Sequence, residues 1–109
     1  DKHIAYVSHL SHISSFMLGK TVMDKEDDEH TIYSMAGSGF ESTVRLAKSS
    51  PEMWSSIFLQ NKKNIIESLD EYILNINNFK KLIEVSDQKN LNDEMRRING
   101  IKKILKGIN

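Results

Sequence analysis

Ile65-Ile66-Glu67-Ser68-Leu69-Asp70-Glu71-Tyr72-Ile73-Leu74-Asn75-Ile76-Asn77-Asn78-Phe79-Lys80-Lys81-Leu82-Ile83 is the stretch whose reading decides the fold. Ile65, Leu69, Tyr72, Ile76, Phe79 and Ile83 recur at intervals of 4, 3, 4, 3 and 4. That spacing is the seam of a helix packed lengthwise against another helix. Ile66, Ile73 and Leu82 widen the stripe, so one long helix is expected at about 62–85. Downstream, a break near Val85–Asn90 precedes a last helix carrying Leu91, Met95, Ile98, Ile101 and Leu105, which Asn99-Gly100 interrupts or bends. Upstream, Ser50-Pro51-Glu52 is a helix start, with Ser50 suited to the N-cap, Pro51 to the first helical position and Glu52 to the positive end of the helix dipole. Met53, Trp54, Ile57 and Phe58 follow at helical spacing.

Nearer the start, a first helix from about Lys2 to Met23 places apolar residues at Ala5 or Tyr6, Leu10, Ile13, Met17 and Val22. The acidic stretch Asp24–Glu29 reads as a solvated turn that supplies an N-cap for a short helix around Glu29–Met35. It lacks the ligand spacing of an EF-hand. Gly37-Ser38-Gly39-Phe40 reads as a tight turn before a short helix from about Glu41 to Ala47. One proline and five glycines in 109 residues, with no β-branched alternation bounded by turn residues, give an all-α class with five or six helices in a single domain over 1–109. A chain of this size has few residues with which to enclose so many apolar helix faces. Intertwining with a second copy, as a symmetric homodimer, is therefore expected.

Composition narrows the function. Fifteen basic residues balance fifteen acidic ones, leaving no global positive field to attract nucleic acid or a membrane surface. The absence of cysteine excludes disulfides, thiolate catalysis and cysteine-based zinc sites. No apolar run approaches the roughly 20 residues of a membrane span. Residue 1 is Asp and the first helix is already under way, so the stretch reads as a piece of a larger protein.

Three features carry possible chemistry. On a helix, His9 and His12 of Ser8-His9-Leu10-Ser11-His12 lie on one face, with Ser8 and Ser15 beside them. Such a set of donors and acceptors suits a polar ligand. Two histidines without a third placed ligand make a poor metal site, and none is assigned. The plainer alternative has one histidine exposed and the other in an interface hydrogen bond. The second feature, Gly37-Ser38-Gly39-Phe40-Glu41-Ser42, approaches the dinucleotide fingerprint but lacks both the preceding strand and the third glycine. It keeps only the backbone N–H groups of a helix start, and a simple helix–helix connection explains it as well. The third is Arg45 with Trp54. A guanidinium there suits a bidentate carboxylate contact, whereas a surface salt bridge for Arg45 and a core anchor for Trp54 are the plainer roles.

Four segments in order complete the reading: Asp1-Lys2-His3; Ser8-His9-Leu10-Ser11-His12; Gly37-Ser38-Gly39-Phe40 leading to Arg45-Leu46-Ala47; and Ser50-Pro51-Glu52-Met53-Trp54-Ser55-Ser56-Ile57-Phe58-Leu59-Gln60-Asn61. Over about residues 1–85 the chain resembles the C-terminal helical domain of prephenate dehydrogenase, and the last helix matches only in type. The resemblance implies a cytoplasmic two-domain enzyme of tyrosine biosynthesis that oxidatively decarboxylates prephenate to 4-hydroxyphenylpyruvate. NAD or NADP would be bound by an absent N-terminal Rossmann domain, which also holds the catalytic histidine. The present residues would then bind no cofactor, contain no catalytic residue and be inactive alone. They would supply the dimer interface and substrate contacts: His12 and Arg45 toward prephenate, with His9 beside them, and Trp54 and Gly39 at the pocket or interface. Departures are Ser11 for the usual proline, Ser38 within the glycine run, and Ser42, Thr43 and Val44 for the family's aspartate, aromatic and threonine. Those beside Arg45 leave arogenate open as the substrate. A helical self-association module with no catalytic role is the other alternative.

Overall fold

The structure is a computed structural model that describes residues 1–26 and 28–107. Among them there is no strand, as the all-α expectation required. They fall into two compact units, Asp1–Leu69 and the part that begins at Asp70.

The first unit opens with α1 (Lys2–Ile4), capped by Asp1, whose carboxylate accepts from the His3 and Ile4 amides. A π-helical segment, Ala5–His9, leads without interruption into α2 (Leu10–Lys25). The first helix thus reaches two residues past the expected end, where Lys20 pairs with Asp24 one turn on. The acidic stretch is therefore partly helical. Of the rest, Asp28 caps α3 (Glu29–Met35) by accepting from the His30 amide and the Thr31 hydroxyl, and Asp27 lies outside the described residues.

The glycine turn differs from its expectation. Gly37 is extended, with φ −103° and ψ −178°, and serves as the N-cap of α4 (Ser38–Thr43), which takes Gly39 into its first turn. The helix expected over 41–47 ends early and gives way to a 3-10 turn at Arg45–Lys48. A tertiary donor sits at the point of change. In an α-helix the Thr43 carbonyl would accept from Ala47, but here it accepts from the Ser15 hydroxyl at 2.5 Å. The Ala47 amide bonds instead to Val44, at 2.9 Å. Ser49 and Ser50 then extend ahead of Pro51, as the residue before a proline prefers.

Helix α5 (Pro51–Gln60) starts where the sequence placed it, with Ser50 Oγ accepting from the Met53 amide at 3.3 Å. Asn61 separates it from α6 (Lys62–Glu84), the long helix read from the 4-3-4 stripe. In the second unit, α6 ends at a turn in which Ser86 takes φ 56°. Asp87 caps α7 (Gln88–Ile98), and its bonds to the Asn90 side chain and amide hold its carboxyl below the usual carboxylate range. Asn99-Gly100 splits the expected last helix, and α8 (Ile101–Lys106) follows.

Among the described residues the only apolar side chains that are buried are Ala5 and Ile65, and His9, Ser15 and Ser68 are buried with them. The α6 residues Ile73, Leu74, Ile76 and Ile83 are half or more exposed. Among the described residues no helix is long and apolar enough to cross a membrane.

Candidate functional site

The π-helical segment brings an extra residue into the turn that ends at His9, changing the register of the residues before it relative to α2. His9 and His12 both meet α5 through its aromatic face. The His12 ring stacks on the Trp54 indole with centroids 3.5 Å apart and planes 20° from parallel. His9 meets Trp54 edge-on at 6.2 Å and Phe58 edge-on at 6.4 Å. Trp54 and Phe58, one helical turn apart, are themselves in tilted contact at 5.7 Å. Trp54 is thus half-buried and acts as a platform for His12 rather than as a fully buried core anchor.

Hydrogen bonding gives the two imidazoles different characters. His12 Nδ1 lies 3.2 Å from the Ser8 carbonyl oxygen, which can only accept, so Nδ1 carries a proton. Nε2 then accepts while the ring is neutral, and donates to an anion once the ring is protonated. His9 is 7% exposed and lies with its Nδ1 3.3 Å from the Asn61 amide nitrogen. Burial above all, with the neighbouring charge of His12, holds the His9 pKa below its ordinary value of 6.5.

Arg45 is exposed at the start of the 3-10 turn. Among the described residues it forms no ion pair. Its segment is held against α2 at two points. Ser15, one turn beyond His12, bonds Thr43, and Gly19, one turn further, would place an added Cβ 3.9 Å from that of Ala47. The arrangement therefore gathers His9, His12 and Trp54 into one cluster and anchors the Arg45 turn to the helix that carries both histidines. No hydrogen bond joins Arg45 to either histidine. Gly39 stands apart, with open space around it. Beside the cluster, Ile13, Phe16, Met17, Pro51, Trp54 and Phe58 line an apolar groove between α2 and α5. Among the described residues no three His, Asp or Glu side chains are grouped to hold a metal.

Reading from the residues singled out neither Asn61 nor the Ser15–Thr43 bond. Both join segments far apart in sequence, and a lone Asn after a helix has no periodicity to mark it.

Comparison with known proteins follows the same lines. The family model described as prephenate dehydrogenase, dimerization domain, matches residues 1–97. Over 85 residues the chain is 34% identical to the prephenate dehydrogenase of Bacillus subtilis (strain 168), covering 78% of this chain and 23% of that protein. Over 88 residues it is 28% identical to the cyclohexadienyl dehydrogenase of Zymomonas mobilis, covering 80% of this chain and 30% of that protein. Among solved structures, prephenate dehydrogenase from A. aeolicus in complex with hydroxyphenyl propionate and NAD+ superposes with a TM-score of 0.83 at 31% identity, over 94% of this chain and 36% of that one. Synechocystis arogenate dehydrogenase superposes with a TM-score of 0.87 at 23% identity, over 94% of this chain and 37% of that one, a likeness of fold alone. The chain thus spans 23% and 30% of the length of these two curated relatives. With the family model covering residues 1–97 and the ordered motifs falling within them, the chain belongs to the prephenate dehydrogenase dimerization-domain family.

Proposed function

We propose that these residues are the C-terminal helical domain of a two-domain prephenate dehydrogenase, and that the intact protein oxidatively decarboxylates prephenate to 4-hydroxyphenylpyruvate with NAD or NADP. The observation that carries the reading is the stacking of His12 on Trp54, with His9 against the same ring, inside the Ser8–His12 motif. Residues 37–42 do not fit a dinucleotide, because the glycine turn follows helix α3 rather than a strand and opens a six-residue helix. In this reading cofactor binding belongs to a domain outside these residues, as does the catalytic base.

In this reading the domain binds and orients. The Arg45 guanidinium, which pairs with no carboxylate among the described residues, takes a substrate carboxylate in a bidentate contact. Trp54 fixes the plane of His12, whose Nε2 faces a polar group of the substrate, while Trp54 and Phe58 exclude water from that side. The protein is a homodimer in which a second copy covers exposed apolar faces. The changes at Ser42, Thr43 and Val44, next to Arg45, leave open a second reading in which arogenate is the substrate. Assay of the intact protein with prephenate and with arogenate, each with NAD and NADP, tests both. Turnover of neither substrate overturns the dehydrogenase reading and leaves the helical self-association module.

A further inference from the structure

We propose that Asn61 is a positioning residue for His9, holding its ring neutral with the proton on Nε2, so that the edge away from Asn61 offers an N–H. Asn61 sits at the C-cap of α5, where its side chain is free of the helix ladder. Its amide group has one orientation. The Asp1 carbonyl oxygen, 2.8 Å from one end of the amide, can only accept, so that end is the nitrogen. The oxygen end accepts from Asn64 Nδ2 at 2.8 Å and from the Asp1 nitrogen at 3.0 Å. A flipped amide would set oxygen against the Asp1 carbonyl. The NH2 group so fixed lies 3.3 Å from His9 Nδ1. An imidazole nitrogen that faces an N–H donor must present its lone pair, which leaves the proton on Nε2. Protonating the ring would place N–H against N–H, and His9 is too buried for water to take over that bond readily.

The titratable side chain acting on His9 is His12, which does not accept its proton. What His9 does with the offered N–H rests on the proposed function, in which it stands beside the substrate contacts His12 and Arg45. Its tautomer does not.

The test is the ring nitrogen shifts of His9 in the intact protein, read from long-range proton–nitrogen correlation above pH 7. The expected spectrum has an unprotonated Nδ1 and a protonated Nε2. In Asn61→Asp the donor becomes an acceptor, so the proton is expected to move to Nδ1 and the titration of His9 to shift to higher pH. In Asn61→Ala the two tautomers are expected to average. A wild-type His9 protonated on Nδ1 overturns the proposal, as does an unchanged Nε2–H pattern in both variants. If neither variant folds, wild-type nitrogen shifts at the limits of a single Nε2–H form support the proposal, and shifts averaged between the two tautomers, as in a free imidazole, overturn it. A wild-type protein with the expected tautomer and no dehydrogenase activity overturns the functional reading instead.

Discussion

Arg45 and His9 are opposite cases of a charged side chain. Arg45 lies in solvent without an ion-pair partner among the described residues, so its charge is available to a ligand. In the intact enzyme Arg45→Ala is expected to weaken substrate binding by about 1.5–3 kcal/mol, the range for a hydrogen bond to a charged group. That is roughly a ten- to hundredfold rise in KM. Unchanged KM and kcat would remove Arg45 from the site. His9 is buried, and its pKa is lowered. The unfolded chain therefore binds a proton at His9 more readily than the folded one, and stability rises with pH through that window. The His9 contribution is complete above its ordinary pKa of 6.5 and is lost as the pH falls through 6.5 toward the lower folded value. Urea unfolding of the intact protein at a series of pH values should show this slope, and His9→Gln should flatten it. Both residues were legible in the sequence as candidates, His9 from its motif and Arg45 from its place in the family pattern. Their environments were not, because exposure and partners come from segments distant in the chain.

At the scale of elements, local chemistry predicted well wherever a helix end is written in its own residues. Ser50-Pro51 and the 4-3-4 stripe from Ile65 yielded α5 and α6 nearly to the residue. Ser50→Ala removes an N-cap acceptor and is expected to cost about 1 kcal/mol of stability, read from denaturant midpoints. Where a tertiary partner competes for a backbone group, the sequence reading failed. Ser15 donates to the Thr43 carbonyl where the expected 41–47 helix gives way to a 3-10 turn at Arg45. Ser15→Ala leaves that carbonyl without its side-chain donor. It is expected to destabilise the protein by about 1–3 kcal/mol and, by loosening the Arg45 turn, to raise KM more than it lowers kcat. Gly19 is the opposite opportunity. It lies inside α2, and an added Cβ would meet Ala47 at an ordinary 3.9 Å. Gly19→Ala should therefore stabilise by about 0.5–1 kcal/mol through the reduced entropy of the unfolded chain.

For the whole molecule the telling fact is how few apolar side chains this chain buries by itself. Ala5 and Ile65 are the buried ones among the described residues, whereas much of the α6 stripe stays half exposed. Contiguous apolar surface of this kind marks an interface. The intact protein is expected to sediment as a dimer at micromolar concentration and to melt at a temperature that rises with protein concentration. A stable monomer would contradict the homodimer. By itself the sequence determined the all-α class, the long helix, the helix starts and the ordered motifs of the family. All of these are set by spacing and by residues adjacent in the chain. Only the tertiary structure decided that His12 lies on Trp54, that Asn61 governs His9 and that Arg45 begins a 3-10 turn. Each of these depends on two segments meeting, and a pairing across dozens of residues leaves no periodic trace in either one.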